Sequence, residues 1–125
     1  MGEGRGSAMV CVVMVCVLLM LQYSQMAHAA VYTVGGAQGW TFNVASWPKG
    51  KRFRAGDTLV FNYSPSAHNV VGVNRLGYSR CTTPRGSKVF QTGKDQIKLV
   101  KGQNFFICSL PGHCQGGMKI AVNAI

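Results

Sequence analysis

The residues best suited to chemistry lie in one short stretch near the end of the chain. Cys108, His113 and Met118 follow one another there with four residues in each gap, and His68 lies 40 residues before Cys108 at the start of an apolar run. Two imidazoles, a thiolate and a thioether are the ligand set of a blue copper site, in which both nitrogens and the thiolate form a plane and the weak sulfur ligand lies on its axis. We therefore predict that these four residues bind one copper ion as Cu(I) and Cu(II).

Two other kinds of site would use some of the same side chains. Zinc accepts Cys108, Cys114, His113 and His68 as ligands, but the sequence lacks the close cysteine pair that such zinc sites usually contain. A cysteine-nucleophile hydrolase needs a Cys–His pair with an orienting Asn or Asp, and no acidic residue lies near Cys108 or His113 in the sequence. Copper fits the set better than either alternative, and we expect that the protein is not an enzyme.

The cysteines that follow the N-terminal apolar run are Cys81, Cys108 and Cys114. Three is an odd number, so one thiol is left over in an oxidising compartment and needs a reason. If Cys108 binds the metal, Cys81 and Cys114 remain to form a disulfide. That disulfide would tie the residue beside His113 to a distant segment. A Cys108–Cys114 disulfide with Cys81 free stays open as the alternative, although it would leave the histidine and methionine spacings as coincidence.

The beginning of the chain has the features of a targeting segment. An uninterrupted apolar run covers residues 8–21, with one arginine before it and the small-residue pattern Ala27-His28-Ala29 after it. This arrangement is typical of a secretory signal peptide. A retained membrane anchor is the alternative, but a bilayer core needs about 20 apolar residues to span it. We therefore expect a signal peptide over residues 1–29 that is cleaved after Ala29, a secreted domain over residues 30–125, and no membrane anchor.

The chain is strongly basic, with 13 Lys and Arg against three Asp and Glu and a formal net charge of +10 at pH 7. Beyond the predicted signal peptide the acidic residues are Asp57 and Asp95. A positive field of this size favours acidic partners, so we expect an acidic redox partner protein or an anionic extracellular polysaccharide. The basic residues are scattered and no nucleic-acid motif accompanies them. We therefore expect no nucleic-acid partner, and we expect a monomer.

Short β-branched and aromatic runs alternate with Gly, Pro, Asn and Ser along the predicted domain. Runs of this kind at a spacing of roughly ten residues are typical of an all-β sandwich. The predicted strands cover residues 31–34, 58–63, 68–74, 88–91, 96–100, 104–108 and 118–123. Residues 75–83 show no clear period, and we predict a helical turn there. Asn62 begins a glycosylation sequon, but Pro65 follows the sequon directly and we expect little occupancy.

Several segments of the domain resemble a known family. The most specific are His68-Asn-Val-Val and Pro111-Gly-His-Cys-Gln-Gly-Gly-Met, and further matching stretches lie at residues 30–36, 39–42, 46–57 and 106–108. Together they resemble the plantacyanins, the basic blue proteins among the plant phytocyanins, over essentially all of residues 30–125. The resemblance implies a Greek-key, cupredoxin-like β-sandwich of about seven strands with short helical turns. It also implies a Cys81–Cys114 disulfide. The copper ligands that it implies are His68, Cys108, His113 and Met118.

A rigid cage that changes little between Cu(II) and Cu(I) lowers the reorganisation that electron transfer requires. We therefore expect a secreted type 1 copper protein that acts as a one-electron carrier in the apoplast or cell wall. We assign Asn69, which directly follows a ligand, to hydrogen bonding that fixes the ligand loop or the thiolate. A second hypothesis rests on the resemblance, because members of that family have been linked to pollen-tube guidance. It is an extracellular signalling or matrix-interaction protein in which copper is structural or incidental. Gly72 departs from the family pattern, which has a branched apolar residue there, and we expect it to loosen its strand.

Overall fold

A computed structural model describes residues 2–26 and 29–125 of the chain. Helix α1 covers Gly2–Met26 and therefore contains the predicted apolar run. Neither helix of the described ranges is long and apolar enough to cross a membrane. Ala27 and His28, which belong to the predicted cleavage pattern, lie outside the described residues. Cleavage after Ala29 stays a prediction.

Residues 29–125 form a sandwich of two β-sheets. In chain order the strands are β1 (Val31–Thr33), β2 (Thr58–Asn62), β3 (Val70–Val73), β4 (Val89–Phe90), β5 (Lys94–Lys98), β6 (Gly102–Ile107) and β7 (Lys119–Ala124). A short helix, α2, covers Arg75–Arg80, and a single 3-10 turn lies at Gly36–Gln38. One sheet has the order β1-β2-β5, and the other has the order β4-β3-β6-β7. The predicted all-β sandwich of seven strands is confirmed.

The core lies between the two sheets because apolar residues alternate along the strands. Leu59 and Phe61 of β2 are fully buried, as are Ile120 and Val122 of β7. Side chains two residues apart point to the same face of a strand, so β2 and β7 each give one apolar face to the interior. The same buried cluster includes Cys108 and Met118, along with Trp40 from the long loop before β2. Two of the predicted copper ligands are therefore built into the core.

The predicted strands differ from the observed ones by one or two residues at their ends, and β5 is shifted at both ends. It covers Lys94–Lys98 instead of residues 96–100, so it begins within residues 92–95, which separate two predicted strands. This register lets β5 pair with β2 over its full length, from Asn62 opposite Lys94 to Thr58 opposite Lys98. The polar residue that misled the prediction is Asp95. Its burial is tolerated because its carboxylate accepts hydrogen bonds from Thr92 and from Tyr63, the residue that directly follows β2.

The predicted helical turn is confirmed as helix α2. The Asn74 side chain caps its start by accepting a hydrogen bond from the Gly77 amide at 2.8 Å. The helix ends at Cys81, which adopts a left-handed conformation with φ of 55°. This left-handed conformation ends the helix and changes the direction of the chain at Cys81.

Candidate metal centre

Strand register brings three separated segments of the chain to one end of the larger sheet. Val71 of β3 lies opposite Ile107 of β6, and Ile107 lies opposite Lys119 of β7. The residues just before β3, just after β6 and just before β7 therefore meet at the same edge. His68, Cys108 and Met118 occupy those three positions, and His113 lies in the loop that joins β6 to β7.

The donor atoms of three predicted ligands converge on one point. The Nδ1 atoms of His68 and His113 are 3.0 Å apart, and the Cys108 Sγ lies 3.5 Å from the His113 Nδ1. All three donor atoms lie within 4.8 Å of one another. A metal ion bonded to two imidazole nitrogens at about 2.0–2.1 Å requires a separation of this size between them. The thiol of Cys108 is free and its residue is fully buried.

Backbone hydrogen bonds hold the loop from Cys108 to Met118 in shape. The Cys108 amide donates to the Met118 carbonyl at 3.0 Å, and the Met118 amide donates to the His113 carbonyl at 3.0 Å. The His113 amide in turn donates to the Leu110 carbonyl at 3.1 Å. These bonds fix the spacing of all three ligands in the loop. Met118 is fully buried, as a weak sulfur ligand on the inner side of the site should be.

Asn69 links the two ligand segments directly. Its Nδ2 donates to the Ser109 Oγ at 2.8 Å, and its Oδ1 accepts from the Ser109 amide at 2.8 Å. The Trp40 indole Nε1 donates to the Asn69 carbonyl at 2.8 Å and anchors this residue to the core. The residue after His68 is therefore bonded to the residue after Cys108. We propose that this pair sets the distance between the two ligands.

Residues 42–44, the arm of the long loop before β2, lie over the outer part of the site. The Phe42 ring lies 4.8 Å from the His113 ring and 5.8 Å from the His68 ring, measured between centroids. Gly116 makes this contact possible, because a Cβ there would approach a Phe42 ring carbon to 2.7 Å. The Gly117 carbonyl accepts a hydrogen bond from Val44 in the same arm. The arm thus limits the movement of both imidazoles.

The Cys81–Cys114 disulfide is present, with Cα atoms 5.6 Å apart. It fastens the end of α2 to the residue beside His113. The alternative Cys108–Cys114 disulfide is therefore wrong, and Cys108 keeps its thiol for the metal. The four-ligand zinc site is also excluded, because Cys114 is not available as a ligand.

The electrostatics of the site favour a neutral His68 imidazole. Burial lowers the pKa of His68, and the neighbouring His113 ring lowers it further. A ring nitrogen must be free of its proton to bind a metal, so both effects favour binding. The three donors that converge are two imidazoles and a thiolate-forming cysteine. They suit copper in both oxidation states, and the residues present therefore fit this ion.

The fold and this ligand set define a type 1 blue copper protein of the cupredoxin class. Residues 40–118 match the family model described as a plastocyanin-like domain. The chain is 70% identical over 96 residues to Basic blue protein from Cucumis sativus. The alignment covers 77% of this chain and 100% of that protein. The chain is 54% identical over 125 residues to Chemocyanin from Lilium longiflorum, which covers 99% of each chain.

The solved structure titled "Cucumber basic protein, a blue copper protein" superposes with a TM-score of 0.76 at 70% identity, covering 76% of this chain and 99% of that one. The chain therefore belongs to the plant phytocyanins, within the basic blue proteins or plantacyanins. Its copper site consists of His68, Cys108, His113 and Met118. Blue copper proteins of this type are not enzymes.

Sequence reasoning named the four ligands but missed three supporting residues. Ser109 directly follows Cys108, just as Asn69 directly follows His68. This position next to a ligand could have identified Ser109 from the sequence. Trp40 and Phe42 gave no such signal, because nothing in the sequence places the arm before β2 over the metal loop. Asn62 lies at the exposed end of β2, and its low glycosylation stays a prediction.

Proposed function

We propose that the protein is an extracellular one-electron carrier. The observation that supports this most directly is the convergence of three donor atoms within 4.8 Å on a loop already fixed by backbone hydrogen bonds. Bound copper supplies a one-electron couple between Cu(II) and Cu(I). A cage whose ligands are held by the core and by a disulfide changes little between these states, which lowers the reorganisation that each transfer requires.

The ligands on the inner side of the site are buried, and those on the outer side are partly exposed. Cys108 and Met118 are fully buried and exclude water from the inner side. His68 and His113 are only partly buried and lie at the surface end of the site. Phe42, which contacts both rings, is 42% exposed. We propose that electrons enter and leave through the His113 ring edge beside this phenylalanine.

The proposed setting is extracellular. A disulfide inside a small domain is typical of oxidising compartments, and the apolar N-terminal run has the pattern of a signal peptide. We propose that the secreted form is a monomer in the apoplast or cell wall. Its positive charge would attract an acidic redox partner and accelerate their encounter, and salt would weaken that attraction.

The experiment is protein-film voltammetry and stopped-flow reduction of the copper-loaded protein, with His113→Ala as the comparison. We expect an intense visible thiolate-to-copper absorption and a reversible one-electron wave in the wild type, and loss of both in the variant. Substituting Lys98→Gln, an exposed residue at the end of β5 that lies opposite Thr58, should leave both signals unchanged. A wild-type protein that binds copper without a reversible wave would contradict the proposal.

A second candidate function is extracellular signalling or matrix interaction, with copper structural or incidental. The observation that favours it is the surface charge, because both acidic side chains of the domain, Asp57 and Asp95, are buried. Such a surface could act on an anionic target without any electron transfer. The His113→Ala variant separates the two hypotheses. Biological activity that persists without copper supports signalling, whereas activity lost together with copper supports the carrier.

A further inference from the structure

The domain presents its positive charge with no acidic side chain nearby at the surface. Asp57 is 2% exposed and Asp95 is 3% exposed, and they are the acidic residues of 30–125. Residues 30–125 contain 12 Lys and Arg, and nearly all of these side chains are exposed to solvent. A charge distribution of this kind favours a ligand with repeated negative charges.

Four of these cations, all exposed, lie within six residues: Lys49, Lys51, Arg52 and Arg54. Two of them, Lys51 and Arg52, line a groove. The groove has a volume of about 440 Å³. Its lining residues are Pro48, Lys51, Arg52, Phe53, Ala121, Asn123 and Ile125. A volume of this order lies within the range of roughly 300–1,000 Å³ that is usual for small-ligand sites.

The groove lies at the outer edge of the larger sheet, where Phe53 forms a β-bridge with Ala124. Strand β7 is the edge strand, and its residues Ala121 and Asn123 point outward because Ile120 and Val122 point into the core. The opposite wall is the turn that carries Lys51. The Lys51 Nζ lies 5.0 Å from the Trp47 ring centroid and donates to the Trp47 carbonyl. Two of its three ammonium hydrogens stay available.

The groove and the copper site lie at opposite ends of β7. Met118 directly precedes the strand, and Asn123 lies five residues further on, about 16 Å away along an extended chain. A ligand in the groove therefore need not touch the copper ligands. Binding there and electron transfer at the metal can be measured separately.

We propose that this groove binds a linear polyuronate, an acidic polysaccharide with a carboxylate on each sugar ring. Lys51 and Arg52 pair with successive carboxylates, and Pro48 and Ile125, which also line the groove, give the apolar face of a sugar a surface to pack on. An acidic protein fits less well, because protein interfaces usually have few lysines at their centre and bury about 800 Å² on each partner. The groove is small, and two of its lining residues, Lys51 and Arg52, are cations.

The experiment is titration calorimetry of the copper-loaded protein with an oligogalacturonate. We compare wild type with the double variant Lys51→Gln/Arg52→Gln and with a matched control, Lys94→Gln/Lys98→Gln, which removes the same charge from exposed positions on β5. We expect the groove variant to lose about tenfold in affinity, and the control to lose much less. Visible absorption should be the same in all three proteins, which shows that each is folded around copper.

A second pair of variants adds charge instead of removing it. Asn123→Asp places a carboxylate in the groove and should weaken binding, whereas Gln96→Glu, on exposed β5, should not. Equal losses in groove and control variants would overturn the proposal in favour of a general field. Equal affinity for a fully methyl-esterified oligosaccharide would show that carboxylates are not recognised. Tighter binding of poly-L-glutamate at the same residues would instead identify an acidic polypeptide as the ligand.

A different observation carries a second inference, at the start of β1. The buried Asp57 carboxylate accepts hydrogen bonds from the Ala30 nitrogen at 2.9 Å and from the Arg54 amide at 2.8 Å. In the uncleaved chain the Ala30 nitrogen is a neutral amide. We infer that cleavage after Ala29 turns it into an ammonium group that forms an ion pair with Asp57. This inference rests on the proposed secretion of the protein.

The test compares the purified secreted protein with the same protein after selective acetylation of its N-terminus, which keeps an N–H at Ala30 but removes the charge. We expect acetylation to raise the unfolding equilibrium constant about tenfold or more. In the Asp57→Asn variant acetylation should have almost no effect. No difference in wild type would overturn the ion pair, and an N-terminus other than Ala30, identified by mass spectrometry, would overturn the cleavage on which it depends.

Discussion

The link between Asn69 and Ser109 gives the sharpest prediction about the copper site. Asn69→Ala removes two hydrogen bonds of 2.8 Å, whereas Ser109→Ala removes the one that involves the hydroxyl. A hydrogen bond contributes about 1 kcal/mol net to stability, and a buried group left without its partner costs more. Asn69 is 4% exposed, so we expect its replacement to cost about 2–3 kcal/mol. We expect Ser109→Ala to cost about 1 kcal/mol.

The assay is denaturant unfolding of the copper-free proteins, followed by visible absorption and copper dissociation rates of the loaded ones. The two single variants and the double variant form a cycle, from which we expect a coupling of about 1 kcal/mol. Asn69→Ala should also shift the absorption and speed copper release, because the segments that hold His68 and Cys108 are no longer joined. Ser109→Thr keeps the hydroxyl and serves as the control.

Two results would refute this reasoning. One is a cycle with no coupling, which would mean that the two side chains stabilise the fold independently. The other is an Asn69→Ala protein that is destabilised but has unchanged absorption and copper release. Asn69 would then act on the fold alone, through its buried position beside Trp40, and not on the distance between ligands.

Three further predictions concern stability. Replacing both Cys81 and Cys114 by serine should cost about 3–4 kcal/mol by the loop-closure estimate for this separation of 33 residues, and calorimetry that shows no loss would contradict it. Gly72→Ala should stabilise the protein by roughly 0.5–1 kcal/mol, because a Cβ there meets nothing within 4 Å. The control Gly77→Ala should destabilise the protein, since its Cβ would lie 2.7 Å from a backbone oxygen. The same change in stability in both variants would contradict the prediction for Gly72. Burial raises the pKa of Tyr63, and a hydrogen bond to a buried aspartate raises it further, so the folded state keeps this phenol neutral. The resulting stabilisation is present below pH about 10 and is lost as pH rises above that value, and unfolding measured against pH should show a smaller alkaline loss in Tyr63→Phe.

Much of the β-sandwich could be predicted from local sequence pattern. Strand β2 alternates buried Leu59 and Phe61 with more exposed neighbours, and Gly, Pro and Ser mark its limits. The prediction erred at Asp95, which it placed between two strands but which is buried within β5. Local pattern could not show this, because the groups that satisfy the carboxylate include Tyr63, 32 residues away in sequence.

The sequence by itself determined which chemistry is possible. Ligand identity is a property of single side chains, and two imidazoles with a thiol and a thioether suit a copper ion wherever they meet. The equal spacing of Cys108, His113 and Met118 also followed from the sequence alone. Only the tertiary structure decided that His68 reaches the other three, because that depends on the pairing of β3 with β6.

The tertiary structure also decided what surrounds the ligands. Cys114 pairs with Cys81 because α2 ends beside the metal loop, and Asn69 pairs with Ser109 because two strand ends lie next to each other. The groove beside Lys51 exists because an edge strand and a distant turn meet. These contacts join residues far apart along the chain, and their formation depends on the packing of the whole sandwich, which no short stretch of sequence specifies.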